Sequence, residues 1–241
     1  MRCLLSIDWD YFVPEGPNSE WGHQESLLFL TTLWMFRGSF ANDTATTGEE
    51  VVYWDYLKEN GARFHTDTMW VSDSHAYAYQ CVKPDHDAIV LVDAHHDVWA
   101  RHGEEDVHCD DWLRCAMNVN PSLQVFWHQA DWSADSCSLP DDLTALERGQ
   151  IALNEFPDEF DVVDLHVCRS GCWTPPWHDA QFLEFIKDAP TSVRLPMQID
   201  DWCPFDDRYN GEMKEAIAEH TRRAEEVFGL NDKLARAQAR L

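Results

Sequence analysis

The apolar run Ala88-Ile89-Val90-Leu91-Val92 passes directly into Asp93-Ala94-His95-His96-Asp97, which sets two carboxylates and an imidazole at alternate positions. Residues two apart on an extended strand face the same way, so the spacing predicts that Asp93, His95 and Asp97 converge. Carboxylate and imidazole donors make a hard, oxygen-rich site. Such a site suits manganese or magnesium better than the thiolate-held zinc of a structural site. The N-terminus repeats the design: Cys3-Leu4-Leu5-Ser6-Ile7 leads into Asp8-Trp9-Asp10, and Asp8 and Asp10 are again two apart. Carboxylates buried side by side repel one another and lose their hydration unless cations neutralise them. Two such strand ends in one chain point to a shared metal centre, against the plainer reading of two acidic loops.

The elements that must position these residues follow from periodicity. Strands are expected at residues 2–8, 63–65, 88–93, 122–127, 161–168 and 193–199. Helices are expected at 21–37, 49–60, 73–82, 110–118, 141–149, 178–188 and 211–228. Strands alternating with helices, without repeats or low-complexity linkers, predict an α/β fold: a mainly parallel central sheet covered on both faces, a three-layer αβα sandwich. The length of 241 residues suits a single domain spanning 1–241. In open α/β sheets ligands sit beyond the carboxyl ends of the strands, where both acidic groups fall. Residues 13–20, 99–110, 129–140 and 171–177 then form the rim, rich in Trp, His, Asp and Pro. The charged segment 210–241 reads as a solvated helix face.

Composition narrows the partners. Eighteen basic against 44 acidic residues give a formal net charge of −26. That field repels nucleic acid and anionic membrane, and it steers cationic substrates or peptides inward. No apolar run is long enough to span a bilayer, and the opening residues lack the form of an export signal, so a cytoplasmic location is expected. Eight cysteines without a C-x-x-C pair fit a reducing compartment. Twelve tryptophans, including Trp99, Trp132, Trp173 and Trp177 in rim segments, offer aromatic faces for peptide backbone or cationic side chains.

Asp93-Ala94-His95-His96-Asp97 resembles the D-A-H-x-D signature of the ureohydrolases, the arginase and agmatinase group, and Ser6-Ile7-Asp8-Trp9-Asp10 resembles their S-x-D-x-D signature. In ordinary arginases the second signature follows the first. Here it precedes it, an order similar to that of the peptide arginases, which convert arginine side chains within ribosomally made peptides to ornithine. The resemblance implies an arginase/deacetylase-like fold and two manganese ions, bridged by Asp93 and Asp8. Asp97 would bind the first ion, and His95 and Asp10 the second. His75, in Ser72-Asp73-Ser74-His75, stands nearest to the family's upstream histidine ligand, although the flanking glycines are missing. Four carboxylates and a bridging hydroxide leave two divalent cations with net negative charge, which attracts a guanidinium. Two close metals also lower the pKa of bound water.

The same resemblance implies a shuttle histidine a little beyond D-A-H-x-D, which favours His108 over His102; imidazole suits that role because it titrates near neutrality. A guanidinium-binding acid is implied after a late apolar strand. Asp164 in Phe160-Asp161-Val162-Val163-Asp164-Leu165 stands there in place of glutamate, with Asp110 and Asp111 as alternatives. No loop for a free α-amino or α-carboxylate group is recognisable, as a precursor-peptide substrate would require. Three rival readings stand beside this one. In a haloacid-dehalogenase-like phosphatase, Asp8 is the nucleophile, Asp10 the general acid and Asp200-Asp201 late magnesium ligands. A zinc deacetylase would share the fold, and a non-catalytic domain would bind basic peptides.

Overall fold

Strands whose residues are apolar at consecutive positions must be covered on both faces. Leu4, Leu5 and Ile7 of β1 (Arg2–Asp8) and Ile89, Val90, Leu91 and Val92 of β4 (Ala88–Asp93) are all fully buried. Each such side chain contributes roughly 1.5–3 kcal/mol by leaving water. The computed structural model describes residues 1–14, 45–100 and 107–197, and the helices expected at 21–37 and 211–228 lie outside them.

The described residues build one parallel sheet of eight strands. The remaining strands are β2 (Ala62–Phe64), β3 (Thr68–Ser72), β5 (Gln124–Gln129), β6 (Ile151–Leu153), β7 (Phe160–Cys168) and β8 (Val193–Pro196). Their order is β6-β5-β4-β1-β7-β3-β8, and β2 pairs with the start of β7. On one face, Cys3, Leu5, Ile7, Val90 and Val92 pack against Tyr53, Trp54 and Leu57 of α1 (Tyr53–Glu59), and against Phe182, Phe185 and Ile186 of α5 (Asp179–Asp188). On the other, Leu4, Ile89, Leu91 and Val125 meet Ala78 and Cys81 of α2 (Ala78–Cys81), and Trp112, Leu113 and Met117 of α3 (Trp112–Val119). A further helix, α4 (Ala145–Gln150), starts with a capping box between Thr144 and Glu147. This is the three-layer αβα arrangement.

Two strands escaped the periodicity: β3 and the three-residue β6. Both are short and lie between turns. Their strand character comes from pairing, β3 between β7 and β8 and β6 on β5, rather than from a pattern of their own. The helix expected at 73–82 is also shorter, a 3-10 turn at His75–Tyr77 followed by α2.

Gly61 links α1 to β2 with φ +94°, and its carbonyl accepts the Phe160 N–H at 3.0 Å. A Cβ there would collide with the Asp158 carbonyl oxygen. Gly61→Ala is therefore expected to destabilise the protein by about 1–3 kcal/mol. A lower urea midpoint at unchanged slope would show this, and an unchanged midpoint would contradict it.

Candidate metal centre

β1 and β4 are neighbours in register, with Ser6 opposite Leu91 and Ile7 opposite Val92, so Asp8 and Asp93 end adjacent strands side by side. Their side chains share the face that carries Leu4, Ile89 and Leu91. Alternation along the strands accounts for these two alone. An extended strand would separate Asp93 from Asp97 by roughly 13 Å, too far for one ion. β1 instead gives way to a 3-10 turn at Trp9–Phe12, where the Asp10 N–H bonds Asp8 Oδ1 at 3.3 Å. After Asp93 the chain folds back through a loop in which Asp97 takes φ +51°, a strained conformation for a non-glycine residue. His75 arrives from beyond the end of β3, in a turn capped by the Ser74 side chain.

These turns bring Asp8, Asp10, His75, Asp93, His95 and Asp97 together. His75 Nδ1 lies 3.2 Å from Asp8 Oδ2, 2.8 Å from Asp93 Oδ2 and 2.9 Å from Asp97 Oδ2. None of these contacts is an aligned hydrogen bond. One N–H could not serve three acceptors in any case. His95 Nδ1 lies 2.9 Å from Asp10 Oδ2 and 3.7 Å from Asp93 Oδ1, while the Asp10 carboxylate, wholly buried, has no hydrogen-bond partner. Ligand atoms of Asp8, His75 and Asp93 lie within 4.8 Å of one another, as do those of Asp10, Asp93 and His95. Asp93 belongs to both groups and turns a different oxygen to each histidine. Buried donor atoms that point at a common centre without bonding one another fit divalent cations.

The electrostatics agree. Burial, then the neighbouring Asp93, pushes the Asp8 carboxyl up, and burial with Asp8 and Asp93 pushes Asp10 well above the usual range. Burial and Asp93 raise Asp97 to about 7. Burial opposes ionisation of Asp93 too, but its contacts with His75 and His95 hold it below the usual range. His75 is raised well above its ordinary value because its three carboxylate contacts outweigh its desolvation. Without a cation the cluster binds protons; with one it has no need of them.

Several supporting residues, Ser6 apart, carry no sequence signal. The Trp112 indole N–H, from α3, bonds Asp97 Oδ2 at 2.6 Å, and the Leu113 N–H bonds the Asp97 carbonyl at 3.2 Å. Ser6 Oγ contacts His75 Nε2 at 2.8 Å, and behind it lies the fully buried His166. Arg169, 2% exposed, donates to Asp179 at 2.6 Å and to the Thr174 carbonyl at 3.2 Å, tying down the turn that carries Trp173. The Trp173 ring centre is 5.0 Å from that of His95.

The remaining candidates are placed differently. Asp164 is a correction: its two oxygens are held by Lys83 Nζ at 2.6 Å and His86 Nε2 at 2.9 Å. It pairs with Leu4, four residues before Asp8, so it stands roughly 13 Å back along the sheet from the cluster. Asp111 is buried; its Oδ1 accepts the His108 N–H at 2.8 Å just before α3, and its Oδ2 has no hydrogen-bond partner. Asp110 is half-buried in the same turn, and its carbonyl accepts the Trp99 N–H at 3.0 Å. His108 is half-buried in the segment that leads to Trp112. His96 is buried against Trp99 and Trp127, and desolvation lowers it to about 4. His102 and Asp200-Asp201 lie outside the described residues.

The raised acids give a signed prediction. Asp97 has a folded value of about 7 against an ordinary 3.8, so protonation favours the folded state. Metal-free protein should gain stability as pH falls from about 7 towards the ordinary carboxylate range, and lose it on the way back. The raised His75 acts in the same direction. Divalent cations require deprotonated ligands, so saturation with manganese should reverse the trend. Melting temperatures at about pH 5 and pH 8, with chelator and with metal, read this directly. Greater stability of the metal-free form at the higher pH would contradict it.

No family model, curated protein or solved structure matches the chain.

Proposed function

We propose that the protein is a binuclear manganese hydrolase of guanidinium groups, converting arginine residues within peptides to ornithine with release of urea. The observation that carries this reading is the pair of buried ligand groups joined through Asp93. A single-zinc deacetylase would leave Asp10 and His95 without a purpose. A phosphatase reading leaves the whole Asp93 group unused.

Asp8, His75, Asp93 and Asp97 would hold one ion, and Asp8, Asp10, Asp93 and His95 the other. The ions supply Lewis acidity and a nucleophilic water at neutral pH. The protein's own part begins with access. The His95 side chain is 29% exposed, whereas those of the other five ligands are 7% exposed or less, so substrate approaches over His95. The Trp173 ring beside it suits a planar cation with an alkyl stem. The net charge of −26 draws such a cation in. For guanidinium binding we keep Asp110 and Asp111, which share the turn before α3, since Lys83 and His86 hold both oxygens of Asp164. Attack of water on the guanidinium carbon and cleavage of its bond to the side-chain nitrogen give urea and an amine. His108 supplies the proton that the departing amine takes up. No helix among the described residues is long and apolar enough to cross a membrane.

An arginine-containing peptide incubated with protein and manganese should lose about 42 Da per converted arginine, with two metals per chain by elemental analysis. One zinc and an unmodified peptide would favour the deacetylase, and no metal would leave only a binding module. His108→Asn should lower turnover by roughly 10²–10⁴-fold at unchanged metal content. Loss of metal in that variant would mean that His108 is a ligand rather than a proton donor.

A further inference from the structure

Behind the metal cluster a chain of hydrogen bonds crosses three strands: Ser72 on β3, His166 on β7 and Ser6 on β1, ending at His75. Ser72 Oγ donates to the Ser74 carbonyl at 2.8 Å, and a carbonyl can only accept. That bond uses the hydroxyl's one proton, so Ser72 Oγ must accept from His166 Nε2, 2.9 Å away. His166 is fully buried between hydroxyls, has no carboxylate partner among the described residues and stacks on His75 with ring centres 5.7 Å apart. It is held neutral, so its Nδ1 carries a lone pair. Ser6 Oγ, 3.0 Å from that nitrogen, therefore donates to it. With its own proton used, Ser6 must accept from His75 Nε2–H at 2.8 Å. In neutral His75, Nδ1 is then the bare nitrogen, and it is the one facing Asp8, Asp93 and Asp97.

We infer that His166, through Ser6 and Ser72, is a positioning residue that locks His75 in the tautomer able to ligate a metal ion. The direction of every bond follows from the Ser74 carbonyl at the far end together with a neutral His166. The inference rests on the metal-centre reading but not on the choice of substrate. It makes a counter-intuitive prediction for Ser72, which touches no ligand in the relay except through two other side chains. Ser72→Ala removes the group that pins His166. His166 can then carry its proton on Nδ1 and donate to Ser6. Ser6 is freed to donate to His75 Nε2, and the His75 proton moves to the face where the ion belongs.

The test measures metal affinity and tautomer separately. Manganese dissociation constants from chelator competition should rise at least about tenfold in Ser72→Ala and stay near wild type in Ser72→Thr, which keeps the hydroxyl. The melting temperature of each metal-free variant reports any loss of packing, which a purely structural Ser72 would show without a change in affinity. Nitrogen-15 spectra of the wild-type histidines need no folded Ser72 variant. The signal lost in His166→Gln should belong to a neutral ring protonated at Nε2. Unchanged affinity in Ser72→Ala, or a His166 protonated at Nδ1, overturns the relay. Wild-type protein that binds no divalent cation overturns the metal centre itself, and with it the purpose assigned to His166; it is recognised before any variant is made.

Discussion

Four carboxylates crowd into a space from which water is nearly excluded, and the rest of the structure answers to that crowding. Two ionised carboxylates about 4 Å apart repel by about 4 kcal/mol even at a moderate effective dielectric. Asp8, Asp10, Asp93 and Asp97 are each at most 5% exposed. A fold that holds them in this way must be stable enough elsewhere to bear the cost. The two apolar layers on either side of β1 and β4 provide that stability.

The same crowding explains the geometry around the cluster. Three of the cluster's side chains are oriented by neighbours: Asp97 by the Trp112 indole, Asp8 by the Asp10 amide, and His75 by Ser6. Such constraints lower the entropy lost when an ion binds, and they keep the ligands apart in its absence. His95 differs in exposure, with 29% of its side chain open and Trp173 beside it. The cluster thus has a buried inner part and a more open part at His95.

The fold's central part was legible because burial on both faces leaves a plain mark. β1, β4 and β7 read as apolar runs with chemistry at their carboxyl ends. β3 and β6 were not legible, since their strand character comes from pairing with their neighbours rather than from a pattern of their own. Asp164 shows the opposite failure. It has the residue type and the position after apolar residues that a substrate contact would need, yet Lys83 and His86, distant in sequence, take both its oxygens.

The sequence by itself determined which residue types stand at the strand ends, and so the hard-metal character of Asp8, Asp10, Asp93, His95 and Asp97. Composition also determined the negative field. Only the tertiary structure decided how those residues meet. Extended strands would have carried Asp10 and Asp97 away from the cluster, and a 3-10 turn and a positive-φ residue bring them back. Nor could spacing show that Ser72, His166 and Ser6 form one line, because that line runs across β3, β7 and β1. A hydrogen bond between strands is set by register, and register is a property of the assembled sheet.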